Sequence, residues 1–263
     1  MAKTLYRYRK FNGNLLSMFI NRELYFSIPE TLNDPYDCQL PIIESINYAF
    51  EMAKTDSSEP MSDEKRNLLD TLSGCAQKME EAIKIAGVFS LSETCMSVLM
   101  WTHYADEHKG VCIGYQFPED MSEFDSQDLM MNMSHCKYLP KNPIAAYLRV
   151  IGIVDDIPLL EWNKFWYEIL GLGLITKHKS WKYEKEIRIL RKRSGTIKFL
   201  PEHIAEITFG IKTNPGDIKT IVNLLGSPEW SHVKYYKMIK DIVSFDLRKV
   251  RLNKYDVLQY LSG

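Results

Sequence analysis

The sequence predicts an α+β fold built on a mixed, largely antiparallel sheet. Short segments of alternating polarity recur along the chain, which is typical of half-buried strands. Helical segments lie between them at uneven intervals, without the regular strand–helix alternation of a doubly wound parallel sheet. A length of 263 residues fits one or two domains. We therefore expect a single α+β domain over residues 1–263, with a helical insertion at about 42–87.

The first predicted strand covers residues 5–9, where Leu5, Arg7 and Arg9 share one face and Tyr6 and Tyr8 share the other. The other predicted elements of the first half follow from polarity period, caps and breakers. They are a helix over 14–21, a strand over 23–27 stopped by Pro29, a structured loop over 31–37, an inserted helical hairpin within 42–87 with Ser62 as an N-cap, a strand over 87–92, a helix over 96–109 ended by Gly110, and a central strand over 111–115.

The second half begins with a polar, methionine-rich stretch and ends in strands. Its predicted elements are a short strand over 135–139, a long, apolar and aromatic helix over 156–178, a strand over 179–190, a strand over 204–211, a helix over 214–225 with Asn214 as cap and Pro215 at its first position, and strands over 233–240 and 243–251.

Composition limits the function classes. Hydrophobic residues make up 45% and charged residues 25% of the chain, as in soluble globular proteins. A net charge of -1 does not indicate non-specific nucleic-acid binding, although a local basic patch is compatible with it. The N-terminus has no apolar signal core and no apolar run reaches membrane-spanning length, so we expect a cytoplasmic protein that does not contact a membrane.

Cysteine and histidine spacing predicts neither a disulfide nor a structural metal. The five cysteines are scattered and form no Cys-x-x-Cys pair, which favours free thiols in a reducing compartment. His103 and His108 are five residues apart, so on a helix they point in different directions, unlike a zinc-binding pair.

The segment over 179–190 is the strongest candidate for chemistry. Read as a strand, it places Trp181, Tyr183, Ile187 and Ile189 on one face, with Lys185 among them, and it places three charged residues on the other. These charged residues are Glu184, Glu186 and Arg188. Two carboxylates beside a guanidinium form a candidate acid/base or ligand-orienting group. The alternatives are a solvated charged edge strand or a structural Glu–Arg pair.

Three other segments carry weaker signals, each with a plain structural alternative. Residues 33–37 (Asn-Asp-Pro-Tyr-Asp) suit a rigid turn. On a helix, residues 101, 104, 105 and 108 share a face where Trp101 and Tyr104 could stack on a planar ligand, but such a stripe is more often core. Residues 6–9 (Tyr-Arg-Tyr-Arg) suit a phosphate-bearing ligand or a surface strand.

Several catalytic motifs are missing from the sequence. It contains no Gly-x-x-x-x-Gly-Lys-Ser/Thr loop and no Gly-x-Gly-x-x-Gly, which disfavours a P-loop NTPase and a Rossmann dinucleotide site. It also lacks a Gly-x-Ser-x-Gly elbow and the paired Cys/His signature of zinc deaminases.

An ordered set of segments resembles the bacterial and phage-associated family called domain of unknown function 2971. The resemblance spans nearly the whole chain, and the order of the segments is more specific than any one of them. The segments are 5–9, 23–27 with 33–37, 89–92 with 100–106, 108–114, and 181–188.

A more distant similarity is to ADP-ribosyltransferases, which have a split sheet, an Arg on the first strand, a Tyr or Ser on the next, and a late Glu-x-Glu. The resemblance implies that Arg7 or Arg9 binds NAD, and that Glu186 stabilises an oxocarbenium ion while Glu184 assists the acceptor. Tyr25 or Ser27 would brace the dinucleotide. Ser90 or Ser92 is the alternative brace, because Ser27 lacks the family's Ser-Thr-Ser triplet. Tyr104 and Arg188 complete the candidate cofactor-binding residues.

These signals predict an ADP-ribosyltransferase-like enzyme that uses NAD, without a metal, on a macromolecular or nucleotide acceptor. The alternative is a non-catalytic interaction protein of a phage-defence or toxin–antitoxin module. A third hypothesis is a metal-dependent nuclease using Asp34, Asp37 and Glu186, although no Glu-x-Lys follows them at the needed place. The enzyme hypothesis requires Arg7 or Arg9, Ser27 and Glu186 to line one cleft.

Overall fold

The fold is a mixed α/β architecture with a mostly antiparallel sheet, as predicted. The computed structural model describes residues 3–55, 62–118, 128–150, 162–253 and 256. The strands in these residues are β1 Leu5–Arg9, β2 Glu23–Phe26, β3 Gly87–Ser92, β4 Val111–Tyr115, β5 Leu129–His135, β6 Lys137–Leu139, β7 Thr176–His178, β8 Glu186–Arg191, β9 Gly195–Lys198, β10 Ile204–Phe209, β11 Lys234–Lys240 and β12 Leu247–Arg251. The helices are α1 Gly13–Asn21, α2 Ile42–Thr55, α3 Asp63–Ile85, α4 Val98–Tyr104, α5 Pro143–Val150, α6 Trp162–Ile175 and α7 Pro215–Leu224.

The main sheet has eight strands in the order β12-β11-β10-β4-β1-β3-β8-β5. Neighbouring strands are antiparallel except for β10 and β11, which run parallel. Two small sheets pair β2 with β9 and β6 with β7. β4 is fully buried near the middle of the main sheet, where the apolar segment 111–115 was predicted.

Both faces of the main sheet are covered. Apolar side chains of α1 and α7 pack against one face, together with Phe89 and Ile189. On the other face, α2, α3, α5 and α6 pack around Val88 and Leu190, and α4 inserts Trp101 against Tyr8. Because both faces of β3 and β8 are covered, consecutive residues of these strands are buried although their side chains point to opposite faces.

Helix caps agree with the sequence signals. Ser62 accepts a hydrogen bond from the Lys65 N–H at the start of α3. Asn214 caps α7 by accepting from the Gly216 N–H at 2.7 Å, and Pro215 occupies the first position. These side chains satisfy N–H groups that lack partners within the helix. α2 and α3 occupy the part of the chain where the helical hairpin was predicted.

The prediction of a long apolar helix over 156–178 is wrong. α6 begins at Trp162 and has 14 residues, and the part of the prediction before residue 162 lies outside the described residues. The last three residues form β7, because they pair in parallel with β6. Pairing between residues far apart in the chain therefore overrides the helical pattern. In the described residues, no helix is long and apolar enough to cross a membrane.

The predicted helix over 96–109 is also too long. α4 ends at Tyr104, and residues 106–108 all have positive φ (48°, 52° and 73°), so His108 does not share a helix face with Trp101. A Cβ on Gly110 would lie 2.2 Å from the Arg9 carbonyl oxygen. Gly110 is thus required for the close approach of two backbones and does not end a helix.

Candidate functional site

The main sheet is continuous, but it has a break in pairing, called the split below, between β1 and β3. These neighbouring strands form one pair of residues, Tyr6 with Ser92, and then diverge. Each is fully paired on its other side, β1 with β4 and β3 with β8. Beyond the split, Val88 of β3 forms an isolated bridge with Ser27, which follows β2. A gap therefore opens between β1 and the bridge at Ser27.

The split leaves backbone groups directed into the gap. If the antiparallel register continued from Tyr6 and Ser92, the next facing pair would be Tyr8 and Ser90. Hydrogen-bonding direction alternates along a strand, and the N–H and C=O of Val88 point towards Ser27. Ser90, two residues on, therefore presents its backbone groups to the gap, as Tyr8 does from β1.

The gap forms a cleft with a volume of about 270 Å³. Residues from both faces of β1 line the cleft, because the unpaired edge of β1 borders it. The lining includes most of the residues predicted as a site: Arg7, Arg9, Ser27, Ser90, Tyr104, Glu184 and Glu186. Ser92, the alternative brace, also lines it. The spatial requirement that Arg7 or Arg9, Ser27 and Glu186 meet in one cleft is satisfied.

Tyr25 and Arg188 are the predicted site residues that do not line this cleft. Tyr25 is half-exposed and lines an adjoining cleft of about 410 Å³, which shares Arg7, Arg9 and Ser27 with the first. The Arg188 side chain is fully buried beneath the cleft. Its guanidinium donates to both oxygens of Glu186, from Nε at 2.8 Å and from Nη2 at 3.0 Å.

The segment carrying Glu184 and Glu186 is only partly a strand. Residues Lys179–Glu184 form a 3-10 helix, Lys185 is left-handed with φ of 46°, and β8 begins at Glu186. The prediction that Trp181 and Tyr183 share a strand face with Ile187 and Ile189 is therefore wrong. The Trp181 indole donates a hydrogen bond of 2.6 Å to Asp34, which holds the 3-10 turn against the loop over 33–37.

The charged residues of this segment are buried, which contradicts the alternative of a solvated charged face. Glu184 and Glu186 are 3% and 5% exposed, and β8 lies between β3 and β5. Glu186 and Arg188 share a strand face, as the alternation predicted. Glu184 reaches the same cluster from the 3-10 turn. The hydrogen bonds between Glu186 and Arg188 agree with the structural-pair alternative.

Two charged residues of the cluster were missed as its members. The Lys177 ammonium lies 2.5 Å from Glu184 Oε2, 3.0 Å from Glu186 Oε2 and 3.1 Å from Asp37 Oδ2. Asp37 also accepts from Arg188 Nη2 at 2.6 Å. The available signal for Lys177 was a lone cation at the end of a long apolar stretch. Asp37 was considered only as a metal ligand.

The metal-ligand set of the nuclease hypothesis does not form. Both Asp34 oxygens are engaged elsewhere, with the Trp181 indole and the Tyr36 N–H. Lys177 forms ion pairs with both Asp37 and Glu186, and Arg188 forms one with Asp37. Cationic side chains therefore occupy the position between the two carboxylates. Within the described ranges, no group of three or more His, Cys, Asp or Glu residues is arranged to hold a metal.

The two glutamates have different proton affinities. Burial alone would raise the pKa of Glu186, but Arg188 and Lys177, with a hydrogen bond from Ser90, hold that pKa well below its usual range. Burial raises the pKa of Glu184, and Lys177 only partly opposes the effect. The Tyr104 hydroxyl donates to Glu184 Oε1 at 2.5 Å and accepts from the Asn33 amide at 2.7 Å. The surroundings therefore favour the ionised form of Glu186 more than that of Glu184.

Arg7 has unused hydrogen-bonding capacity at the cleft. Its guanidinium carbon lies 4.1 Å from the centre of the Phe89 ring, a cation–π contact. Its Nη1 atom is inaccessible to solvent and has no hydrogen-bond partner in the described part of the chain. Burial lowers the pKa of Arg7 to about 10, so the group remains charged at neutral pH. Nη1 itself is closed to the cleft, so the feature of Arg7 that suits an anionic ligand is the positive charge of a side chain in the cleft lining.

The described residues form a mixed α/β protein with a mostly antiparallel sheet, and a buried network of carboxylates and cations lies beneath its cleft. In the comparison with family models, residues 100–189 match the family described as a protein of unknown function, DUF2971. The match covers about a third of the chain and includes Tyr104, Lys177, Glu184 and Glu186, but not Arg7. It supports the resemblance to that family. Neither the curated proteins nor the solved structures returned a match to the chain.

Proposed function

We propose that this protein is an ADP-ribosyltransferase-like enzyme that uses NAD as its substrate. The observation that carries the proposal is one cleft lined both by Arg7, a cation, and by the glutamates Glu184 and Glu186. A cation for the phosphates and a carboxylate for the reacting sugar are the two charges that this chemistry needs. The alternation and the order of the motifs in the sequence had predicted that these groups face the same concave site.

In the proposed reaction, the C–N bond between nicotinamide and ribose breaks and nicotinamide leaves with the bonding electrons. Glu186, held ionised by Arg188 and Lys177, stabilises the positive charge that develops on the ribose. An acceptor nucleophile then bonds to the sugar carbon and loses its proton. Glu184 receives that proton, because burial raises its pKa and makes it the stronger base.

The volumes of the two clefts indicate which part of NAD each of them would hold. A volume of about 270 Å³ is near the lower limit of small-molecule pockets, so it suits the nicotinamide–ribose half. The adjoining cleft of about 410 Å³ would take the rest of the dinucleotide beside Tyr25. Arg7 and Arg9 belong to both clefts, which is where the pyrophosphate would lie. The unpaired backbone groups of Tyr8 and Ser90 would meet the nicotinamide amide.

The proposal is tested by incubating the protein with radiolabelled NAD and cell lysate, with nicotinamide release and acid-insoluble label as readouts. Removing one preorganised electrostatic contact typically lowers turnover roughly a hundredfold to a thousandfold, which is the effect expected of Glu186→Gln. Glu206→Gln is the matched control, since Glu206 is also a buried strand glutamate paired with a lysine, Lys249. Wild-type protein that releases no nicotinamide with any lysate fraction would contradict the proposal.

A second candidate is a non-catalytic interaction protein of a phage-defence or toxin–antitoxin module. The observation that favours it is the burial of Glu186 with both oxygens bonded to Arg188, as in a structural ion pair. Under this hypothesis, Glu186→Gln destabilises the fold and there is no NAD-dependent activity to lose. Under the enzyme hypothesis, activity is lost in protein that is still folded at the assay temperature.

A further inference from the structure

The turn between β11 and β12 exposes three large apolar side chains. Ile242 and Val243 are each 91% exposed, and Phe245 is 105% exposed. The turn is nevertheless ordered by hydrogen bonds. Asp241 Oδ1 accepts the N–H groups of Val243 at 2.8 Å and Ser244 at 3.0 Å. A braced turn that directs apolar side chains into solvent is typical of a contact site.

The two strands that carry this turn are strongly basic. Residues 234–251 contain six cations and two acids, a net charge of +4, whereas the whole chain has a net charge of -1. Lys234, Lys240, Arg248 and Arg251 are exposed. Asp241 is engaged within the turn, and so is Asp246, which accepts from the Ser244 hydroxyl. The β11–β12 hairpin is therefore the local basic patch that the overall charge conceals.

The hairpin projects from the end of the sheet at which the cleft opens. Arg9, Val111, Phe209 and Lys237 form one row across β1, β4, β10 and β11. β11 runs in the same direction as β1 and continues three residues past this row, about 10 Å, before the turn. Three strand spacings separate β11 from β1, about 14 Å. The split between β1 and β3 widens towards the same end of the sheet.

We propose that the β11–β12 hairpin binds single-stranded nucleic acid. The exposed cations match the phosphates of a polyanion, and Phe245 offers a free aromatic face on which a base can stack. The cations extend along the strands from Lys234 to Lys240, about 20 Å. A membrane touched by the tip would attract only the nearest of them, because screening limits attraction to about 8 Å at physiological salt. Lys234, Lys240 and Arg251 share one face of the hairpin, so a nucleic-acid strand can contact these three together.

This binding does not depend on NAD chemistry. One consequence does rest on the proposed function, namely that a nucleic acid held by the hairpin would bring a macromolecular acceptor to the cleft. Binding is therefore measured without NAD, so that failure of the enzyme proposal and failure of the hairpin proposal remain distinguishable.

The test is fluorescence anisotropy of labelled single-stranded RNA and DNA oligonucleotides titrated with the full chain at several salt concentrations. Base–aromatic stacking predicts that Phe245→Ser weakens binding roughly fivefold to a hundredfold. The double variant Lys240→Gln/Arg251→Gln removes two cations of one face and should lower the slope of log K against log salt by about 0.7 for each phosphate that the protein no longer neutralises. The matched control is Lys78→Gln/Lys84→Gln on α3, which removes two exposed cations and should leave the slope unchanged.

Fully exposed side chains contribute little to folding, so melting temperatures of the tip variants should equal that of the wild type. Val243→Ser provides a second tip variant should Phe245→Ser fail to fold. Equal binding by the tip variants and the control variant would overturn the proposal. It would also be overturned by retention on phosphatidylserine vesicles, or binding of polyglutamate, without binding of the oligonucleotides.

Discussion

Lys177 lies between Glu184 and Glu186, with its ammonium 2.5 Å from one carboxylate and 3.0 Å from the other. The ammonium is also 3.1 Å from Asp37, so one lysine forms ion pairs with three buried carboxylates. Arg188, which forms an ion pair with Asp37, completes the network. Three carboxylates cannot be buried together without such cations, because each unpaired charge carries a large desolvation cost. The floor of the cleft is therefore one electrostatic unit.

Lys177→Met tests this unit. The substitution leaves three buried carboxylates with Arg188 as the remaining cation of the network, and we expect a loss of about 3–5 kcal/mol in the free energy of unfolding, measured by urea denaturation. Lys198→Met is the control, since Lys198 forms an exposed pair with Glu23 and should cost about 0–1 kcal/mol. Equal costs for the two variants would show that the network carries no special stability.

The pH dependence of stability follows from the lowered pKa of Glu186. A carboxyl whose pKa is lower in the folded state stabilises the fold above its unfolded pKa of about 4.3, and this contribution is lost as the pH falls towards the folded pKa. We expect the difference in unfolding free energy between wild type and Glu186→Gln to shrink below about pH 4. Denaturation curves between neutral and acidic pH measure it, and a constant difference would contradict the assignment.

Tyr104→Phe isolates one hydrogen bond to Glu184. The ring remains in place, but the hydroxyl that donates to Glu184 and accepts from Asn33 is removed. Loss of one such bond should cost about 1 kcal/mol of stability. Because the hydrogen bond from Tyr104 lowers the pKa of Glu184, that pKa should rise further in the variant. The acidic limb of the pH profile of acceptor labelling should then move to higher pH, whereas an unchanged profile would exclude Glu184 as the proton acceptor.

Arg7→Met separates a binding role from a structural one. Arg7 Nη1 has no partner to lose, and methionine can cover the same Phe89 ring, so stability without ligand should be unchanged or higher. In wild-type protein, NAD at a hundred times its dissociation constant should add about 2.7 kcal/mol of stability, and the variant should lose this gain. Differential scanning fluorimetry with and without NAD provides the readout.

Arg22→Met serves as the control for that measurement, since Arg22 forms an exposed pair with Glu229. Its NAD-dependent shift should match that of the wild type. A wild-type melting temperature that does not respond to millimolar NAD would favour the interaction-protein hypothesis.

Local signals in the sequence determined much of the secondary structure. Alternation located β1, β3 and β4 and placed Glu186 and Arg188 on one face of a strand, because the side-chain period of a strand is local. Caps at Ser62 and Asn214 were also predictable, since they depend on residues within one helical turn. The mixed, mostly antiparallel fold follows from the order and length of such elements.

Tertiary structure alone decided the site itself. The 3-10 turn that carries Glu184 is held by Trp181 bonding to Asp34, a residue far away in the chain. Lys177 joins the network because β7 pairs with β6 and ends the apolar helix early. The split between β1 and β3 depends on where the two strands stop pairing. Contacts between distant residues leave no periodic trace in the sequence, which is why strand faces were predictable and the cleft floor was not.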